Sequence, residues 1–406
     1  MQSKKTYDIT IIGAGIVGLA VARELAQSHP GKKIAVVEKE TQVGQHQTGH
    51  NSGVIHSGLY YKPGSFKARF CVQGAELMKA YCAEHDIPYE VCGKVVVATH
   101  RAELPRLETL YERGQANGVQ GLVKIGPDRL KELEPHAHGI AALLCPPTGI
   151  VDYKMVADSY ARDFQEHDGS LFTGAEVVRM RRTWDTLAVE TTVGDIETTH
   201  VINCAGLHSD VIARMLGARA DVKIIPFRGE YYFIKPERRY LVQNLIYPVP
   251  DPAFPFLGVH FTRTVHGELE AGPNAVLAFA REGYSMTKVD SADLLGTLRF
   301  PGAWTMARKY WRTGAGEFYR SLSKKAFVRA LQRLLPEVQE QDVVRGGAGV
   351  RAQAVDRRGA LLDDFRIDAT EHAIHVINAP SPAATSSLAI GSYIADLAAK
   401  TFRLSE

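Results

Sequence analysis

The sequence predicts an α/β protein in which a Rossmann-like dinucleotide-binding domain is interleaved with a second domain built on a mixed antiparallel sheet. A glycine fingerprint near the N terminus, a middle region rich in β-branched and aromatic residues, and a C-terminal return to strand, loop and helix predict this fold. We place the dinucleotide-binding domain at 1-85, 145-223 and 340-406. The second domain, which would hold the substrate, takes 86-144 and 224-339.

The N-terminal segment has the pattern of a strand, a tight turn and a helix. An apolar run at 7–12 is followed at once by Gly13, Gly15 and Gly18, and then by residues with helical periodicity. Gly13 permits the turn, Gly15 lets the backbone approach a pyrophosphate, and Gly18 lets the helix pack against the strand. The helix N terminus would supply amides and partial positive charge to the phosphates.

A second apolar strand, Ile34–Val37, ends at an acidic residue. Glu38 lies twenty positions beyond Gly18, where a carboxylate can accept hydrogen bonds from a ribose diol. The fingerprint does not distinguish NAD from FAD, because both sites hold phosphates in the same way.

The composition excludes several classes of protein. A chain of 406 residues exceeds what one core usually supports, and 48 basic against 45 acidic residues give a net charge of only +3, which does not favour nucleic acid. Five cysteines without a CxxC pair predict reduced thiols, with neither a disulfide frame nor a metal site. No signal pattern and no apolar run of about 18 residues occur, so we expect a cytoplasmic protein.

The remaining elements follow from periodicity and capping signals. We predict helices at 65–85, 101–117, 153–167 and 388–401, a short helix capped by Asp128, and strands at 92–99, 174–182, 186–192, 195–202 and 372–378. The strand that ends at Gly206 and the small-residue loop at 379–387 would both approach the ligand closely. If that ligand is a flavin, the helix after this loop would stabilise the negative charge of the reduced ring.

The loop at 46–61 indicates the type of reaction, because it places His46, His50 and His56 among three glycines directly downstream of the fingerprint. This pairing indicates a redox enzyme.

Several sequence blocks together resemble the L-2-hydroxyglutarate dehydrogenase/oxidase family of the D-amino-acid-oxidase-like flavoprotein superfamily. They are the fingerprint with Glu38, the loop at 46–61, and the blocks at 226–232, 272–284, 349–353 and 378–385. The resemblance implies an FAD enzyme that oxidises L-2-hydroxyglutarate to 2-oxoglutarate by hydride transfer to flavin N5 and passes the electrons to quinone or oxygen.

The motifs and the resemblance assign FAD to a set of small and polar residues. They are Gly13, Gly15, Ile16, Val17, Gly18, Glu38, Lys39, Gln47, Thr48, His50, Asn51, Ser52, Gly53, Val54, Val177, Cys204, Ala205, Gly206, Gly349, Arg351, Pro382, Ala383, Ala384 and Thr385. His50 has two interpretations, since some superfamily members attach flavin covalently through a histidine in this loop. The simpler one is that His50, Asn51 and Ser52 hydrogen-bond the ring edge.

Oxidation of a 2-hydroxy acid requires a neutral base for the hydroxyl proton, and histidine suits this task. We favour His56, whose glycine neighbours leave room for a substrate, while His260 in the second domain competes. Either histidine could instead be a core residue that is satisfied by backbone groups. Tyr60 and Tyr61 either donate hydrogen bonds to the substrate or only pack.

A substrate with two carboxylates needs two cationic partners, and the arginine fork matches a carboxylate best. Arg351 and Arg281 are the candidates for the C1 carboxylate. Arg228 is the candidate for the distal carboxylate, with an ion pair to Glu230 as the alternative.

The segment 304–337 is basic, aromatic and helical in pattern. It predicts either a helix on the inner face of the cytoplasmic membrane, close to a quinone, or a solvated helix pair that covers the second domain. Two other functions remain open: an amino-acid or N-methylamine oxidase on the same scaffold, and a flavin-binding protein without turnover.

Overall fold

The computed structural model describes residues 5–218, 221–251 and 257–404. The strands are β1 Lys5–Ile12, β2 Ile34–Val37, β3 Val54–Ile55, β4 Tyr89–Glu90, β5 Lys94–Ala98, β6 Val123–Ile125, β7 Ala141–Cys145, β8 Gly149–Val151, β9 Ser170–Phe172, β10 Val177–Arg182, β11 Leu187–Thr191, β12 Gly194–Asn203, β13 Val222–Ile234, β14 Leu245–Pro248, β15 His260–Arg263, β16 Leu269–Gly272, β17 Val276–Leu277, β18 Val343–Asp356, β19 Arg366–Ala369 and β20 Ala373–Asn378. The helices are α1 Ile16–Ser28, α2 Phe66–Glu84, α3 Leu104–Ala116, α4 Pro127–Leu133, α5 Tyr153–Glu166, α6 Ser209–Met215, α7 Ser291–Leu298, α8 Pro301–Leu322, α9 Lys324–Leu331 and α10 Ser387–Phe402.

The first sheet has the parallel centre that the fingerprint predicts. Its order is β10-β11-β12-β1-β2-β9, and β20 extends from β12 with β19 beside it. Ile12 at the end of β1 pairs with Val37 of β2 and with Asn203 of β12, so the carboxyl ends of three strands meet at one edge. Helices α1, α5 and α10 pack together in the apolar core of this domain. In such sheets the ligand lies outside these carboxyl ends.

The second sheet is mixed and mostly antiparallel. Its order is β17-β13-β16-β15-β14-β5-β7-β6, with β18 along the free edge of β13 and with β14 parallel to β5. Helices α8 and α9 cover one face, where Phe327 and Leu331 are fully buried. These two sheets confirm the predicted fold class.

A small third sheet anchors the histidine-rich loop. Its strand order is β3-β8-β4, so Val54 pairs with Ile150, and Tyr89 pairs with Val151. Gly53, just before β3, has a φ of +65°, and a Cβ there would lie 2.6 Å from the carbonyl oxygen of Val151. The loop therefore packs directly against β8.

Two predictions made from the sequence require correction. The division that assigned 340-406 to the dinucleotide-binding domain is wrong for β18, which pairs with β13 from Val343 to Asp356 and so belongs to the second sheet. Asp128 does not cap α4, because Gly126 takes that position and Asp128 lies in the first turn. The other domain boundaries stay a prediction. Within the described part of the chain, no helix combines the length and apolar character needed to cross a bilayer.

Candidate active site

A cavity of about 360 Å³ opens where the carboxyl ends of β1, β2 and β12 meet the N terminus of α1. Its walls come from the fingerprint turn, the loop after β2, the ends of β10 and β12, and the loop before α10. The cavity thus lies at the edge of the sheet where a dinucleotide is expected.

Each glycine of the fingerprint is needed for a different structural reason. Gly13 has a φ of +102°, and a Cβ there would lie 2.7 Å from the carbonyl oxygen of Cys204. A Cβ on Gly18 would lie 2.0 Å from the carbonyl oxygen of Gly13, so only glycine lets α1 approach β1 this closely. Gly15 differs, because its nearest neighbour would be Thr48 Oγ1 at 3.4 Å and the residue lines the cavity. No side chain of its own therefore covers the Gly15 backbone on the side that faces the cavity.

Glu38 closes one end of this cavity. Its carboxylate accepts hydrogen bonds from the backbone amides of Ala14 at 2.7 Å and Glu40 at 3.0 Å, which fix its orientation. Thr48 Oγ1 accepts from the amide of Ile16 at 3.0 Å and so joins the histidine-rich loop to the start of α1. An oriented carboxylate and the positive end of a helix are the groups that a ribose and a pyrophosphate require.

The other end is formed by the loop before α10. The amide of His56 donates to Thr385 Oγ1 at 3.1 Å, and the hydroxyls of Tyr153 and Thr385 lie 2.8 Å apart. Sequence analysis missed Tyr153, which the pattern shows only as the first residue of a helix. The carboxylate, the bare backbone and the two helix N termini fit FAD from its ribose end to its ring end.

The structure brings most of the predicted cofactor residues to this one cavity. They are Gly13, Gly15, Ile16, Val17, Glu38, Lys39, Gln47, Thr48, Asn51, Ser52, Val54, Val177, Cys204, Ala205, Gly206, Pro382, Ala383, Ala384 and Thr385. Gly18, His50, Gly53, Gly349 and Arg351 are not among the residues that line this cavity. A Cβ on Gly349 would lie 2.5 Å from the carbonyl oxygen of His50, so β18 packs against the loop here. The His50 ring lies against Tyr284, with centroids 4.4 Å apart.

A polar cluster at the cavity rim joins the two domains. Lys39 Nζ lies 2.5 Å from carboxylate oxygens of both Glu40 and Glu282, and His208 Nε2 lies 3.0 Å from Glu282. The hydrogen bond from His208 holds the pKa of the Glu282 carboxyl well below its usual range. Glu40, His46 and Glu282 are close enough to share a cation. The Lys39 ammonium already supplies positive charge to both carboxylates.

Both histidines proposed as the base are kept neutral by their surroundings. Burial lowers the pKa of His56 to about 3, and electrostatic interactions with Lys94 and His260 act in the same direction. His56 lines the cavity, and among the described residues no group hydrogen-bonds its buried Nδ1 atom. Burial likewise lowers the pKa of His260 to about 4. His260 Nδ1 lies 2.9 Å from the carbonyl oxygen of Gly258 and must donate to it, which leaves Nε2 as the acceptor.

Arg351 lies near these groups. It pairs with Phe227 across the β13–β18 ladder, and the next residue, Ala352, lines the cofactor cavity. The side chain is exposed, yet burial lowers its pKa, and the phenols of Tyr231 and Tyr61 oppose that shift. Protein atoms therefore surround a side chain that still reaches solvent.

The other two predicted arginines bind protein carboxylates. Arg281 is 3% exposed, and its guanidinium donates to Asp210 at 2.6 and 3.0 Å and to Asp293 at 3.0 Å. This ion pair joins the two domains. It occupies the Arg281 guanidinium that was predicted to bind the substrate C1 carboxylate. Arg228 makes the alternative contact, an ion pair with Glu230 at 3.1 Å, and also donates to the carbonyl oxygen of Ser285. Neither arginine lines the cofactor cavity.

Lys94 is a residue of this region that sequence analysis missed. It is the first residue of β5, it is 1% exposed, and its Nζ lies 4.6 Å from the ring centroid of Tyr60 and 5.1 Å from that of Tyr247. The Tyr247 ring in turn lies 4.0 Å from the ring of His260. The only signal in the sequence is a lysine that opens an otherwise apolar strand.

A second, apolar cavity of about 490 Å³ lies between the second sheet and α8. Two of the residues that line this second cavity contact Arg351 or His260. Phe227 is the ladder partner of Arg351, and Gly258 accepts the hydrogen bond from His260. Tyr310, where α8 is kinked, and Trp311 line the opposite wall.

Comparisons with known proteins identify the family. The model of the FAD dependent oxidoreductase family (DAO) matches residues 8–397. The chain is 55% identical to an L-2-hydroxyglutarate dehydrogenase of Indibacter alkaliphilus, over 98% of this chain and 100% of that one. It is 47% identical to the human mitochondrial L-2-hydroxyglutarate dehydrogenase, over 99% of this chain and 90% of that one.

Solved structures show the same fold at low sequence identity. An FAD-bound L-alpha-glycerophosphate oxidase of Mycoplasma pneumoniae has a TM-score of 0.78 and 20% identity, and the match covers 96% of this chain and 94% of that one. The glycine oxidase of Geobacillus kaustophilus has a TM-score of 0.73 and 18% identity, with 98% and 95% covered. The family match and the cavity confirm FAD rather than NAD as the cofactor. The chain belongs to the FAD dependent oxidoreductase family and, within it, to the group whose curated members are L-2-hydroxyglutarate dehydrogenases.

Proposed function

We propose that this enzyme oxidises L-2-hydroxyglutarate to 2-oxoglutarate, as the names of its relatives suggest. The single observation that supports the proposal best is the neutral His56 in the wall of the cofactor cavity, in electrostatic contact with the neutral His260, which in turn interacts with Arg351. A 2-hydroxy acid needs a base for its hydroxyl and a cation for its carboxylate, and both lie here. FAD, when bound, supplies the two-electron acceptor for the hydride that leaves C2.

We assign the base to His56. Its Nδ1 is buried without a protein partner, and its low pKa leaves the imidazole neutral at physiological pH. The substrate hydroxyl can donate to a neutral imidazole and then transfer its proton to it. The opening of the cavity beside His56 supports this choice over His260, whose Nδ1 is already committed to a backbone carbonyl.

We assign the C1 carboxylate to Arg351. Burial lowers the pKa of its guanidinium, and a partly desolvated cation gains more from an anionic partner than one in bulk water. The contact between Gly349 and the carbonyl of His50 fixes β18 against the loop that bears the base. The carboxylate and the hydroxyl of one substrate carbon would then be held by adjacent elements.

Anaerobic mixing of the purified holoenzyme with L-2-hydroxyglutarate tests the proposal. We expect rapid loss of oxidised-flavin absorbance, with no loss on mixing with the D enantiomer. Reduction by an amino acid or an N-methylamine instead would identify the rival oxidase on the same scaffold. Reduction by none of these acids would identify a flavin-binding protein without turnover.

We further propose that electrons pass to quinone or oxygen at a membrane surface. The segment 304–337 holds eight basic and two acidic residues, although the whole chain has a net charge of only +3. The side chains of Trp304, Trp311 and Leu322 are each more than 60% exposed, which suits the headgroup region of an anionic bilayer. Flotation with phosphatidylglycerol vesicles, but not with phosphatidylcholine vesicles, would support this contact. Comparing reduction of a short-chain quinone with that of oxygen would identify the acceptor.

A further inference from the structure

A buried lysine of the second domain has no carboxylate partner among the described residues. Lys94 is 1% exposed, and the structure shows no ion pair between it and any carboxylate of residues 5–218, 221–251 or 257–404. The ionisable groups that act on its pKa are the three thiols of Cys145, Cys71 and Cys92, while burial lowers that pKa. A buried cation with no anionic partner is costly, and proteins normally retain one only where a ligand completes the pair.

The groups around Lys94 connect it to the two histidines proposed as the base. Its Nζ lies close to the rings of both Tyr60 and Tyr247, and the Tyr247 ring lies 4.0 Å from the His260 ring at a tilt of 33°. The positive charge of Lys94 also lowers the pKa of both His56 and His260, which places it within electrostatic reach of each. The hydroxyl of Tyr60 is buried and has no hydrogen-bond partner among the described residues. A cation and a polar donor thus face the same desolvated region.

The diacid of the proposed function needs a second cation, and the predicted one is occupied. Arg228 is paired with Glu230, and Arg281 is paired with Asp210. Arg351 adjoins the cofactor cavity through Ala352, whereas no residue of β5 lines that cavity. With the C1 carboxylate assigned to Arg351, Lys94 is the cation left for the distal carboxylate.

We propose that Lys94 binds the carboxylate of the substrate that is distal to the hydroxyl and thereby sets the preference for a 2-hydroxy diacid over a monoacid. The inference rests on the proposed function, and it replaces Arg228 in the role predicted from sequence. The Tyr60 and Tyr247 rings hold the ammonium through cation–π contacts, and the aromatic walls exclude water.

The test compares L-2-hydroxyglutarate with two acids that lack the distal charge, namely its 5-amide and L-2-hydroxybutyrate. For Lys94→Met we expect kcat/KM for the diacid to fall by about 10²-fold, and that for the two neutral analogues to change by less than about threefold. Lys223→Met is the matched control, because Lys223 is another buried lysine of the second sheet, 8% exposed, and it acts on the pKa of neither His56 nor His260. The Lys223→Met substitution should leave the preference for the diacid over the neutral analogues unchanged. Lys94→Arg should restore part of the preference.

An equilibrium measurement keeps the proposal testable if turnover is lost. Glutarate has both carboxylates but no hydroxyl, and its binding can be followed by the change in flavin absorbance. Its Kd should rise by about 10²-fold in Lys94→Met with flavin content unchanged. Equal losses for diacid and neutral analogues, or an unchanged Kd, would overturn the role of Lys94. A wild-type enzyme that no 2-hydroxy acid reduces would instead overturn the proposed function.

Discussion

The pH dependence of kcat/KM is a direct test of the neutral histidines. Burial, together with nearby positive charge, lowers the pKa of His56 to about 3 and that of His260 to about 4. A base with the ordinary histidine pKa of about 6.5 would be roughly 90% protonated at pH 5.5, and kcat/KM would fall about tenfold between pH 7.5 and 5.5. With a pKa of about 3 the same base stays more than about 99% neutral at pH 5.5. We therefore expect an essentially flat profile over this range.

The assay is anaerobic flavin reduction at limiting substrate, measured from pH 5.5 to 7.5. Both carboxyls of the substrate remain ionised over most of this range, since a carboxyl of the glutamate type has a pKa of about 4.3. One nearby group needs a control, because burial raises the pKa of Glu270 to about 7 and its Oε2 has no partner among the described residues. Glu270→Gln removes that titration. An acidic limb with a midpoint near pH 6.5 that persists in Glu270→Gln would refute a base neutralised by burial.

Three further substitutions test the site. His56→Ala should retain FAD but slow flavin reduction by about 10²-fold or more, and reduction at the wild-type rate would rule out its role as base. Arg281→Met removes the buried partner of Asp210, which then keeps only its ion pair with the partly exposed Arg214, and should cost up to about 3 kcal/mol, measured as a lower thermal midpoint. A raised KM without a loss of stability would restore Arg281 as a substrate contact. Gly18→Ala places a Cβ 2.0 Å from a carbonyl oxygen of the fingerprint turn and should abolish FAD binding, whereas Gly31→Ala, with no atom within 4 Å, should bind FAD normally.

Local patterns predicted the elements that surround the cofactor. The apolar run before Gly13, the helical spacing after it and the strand that ends at Glu38 correspond to β1, α1 and β2, because each is determined by neighbours in sequence. Sheet membership was harder to predict. β18 was assigned to the wrong domain, since its partner β13 lies more than a hundred residues earlier and only the ladder reveals it.

The same distinction separates the site residues that sequence could predict from those it could not. Thr48 and Glu38 lie within a few tens of residues of the helix that they orient, and the spacing of the motif contains that information. Arg281 looked free in sequence because Asp210, its partner, is 71 residues away. Lys94 looked like the polar start of a buried strand, because the ring of Tyr247 that encloses it comes from β14. Pairing across long separations decided which cations are available to a substrate.

The charges of the site also explain how a very weak base can act. After burial, the positive charge of Lys94 is the next cause that lowers the pKa of His56, while Arg351 acts only on His260. A dicarboxylate that binds Lys94 would cancel the effect of that charge when the hydroxyl reaches His56. The pKa of the imidazole then rises toward the range in which it can accept a proton. A monoacid would leave the charge of Lys94 in place, so the cation that binds the distal carboxylate would also make the base respond to the diacid.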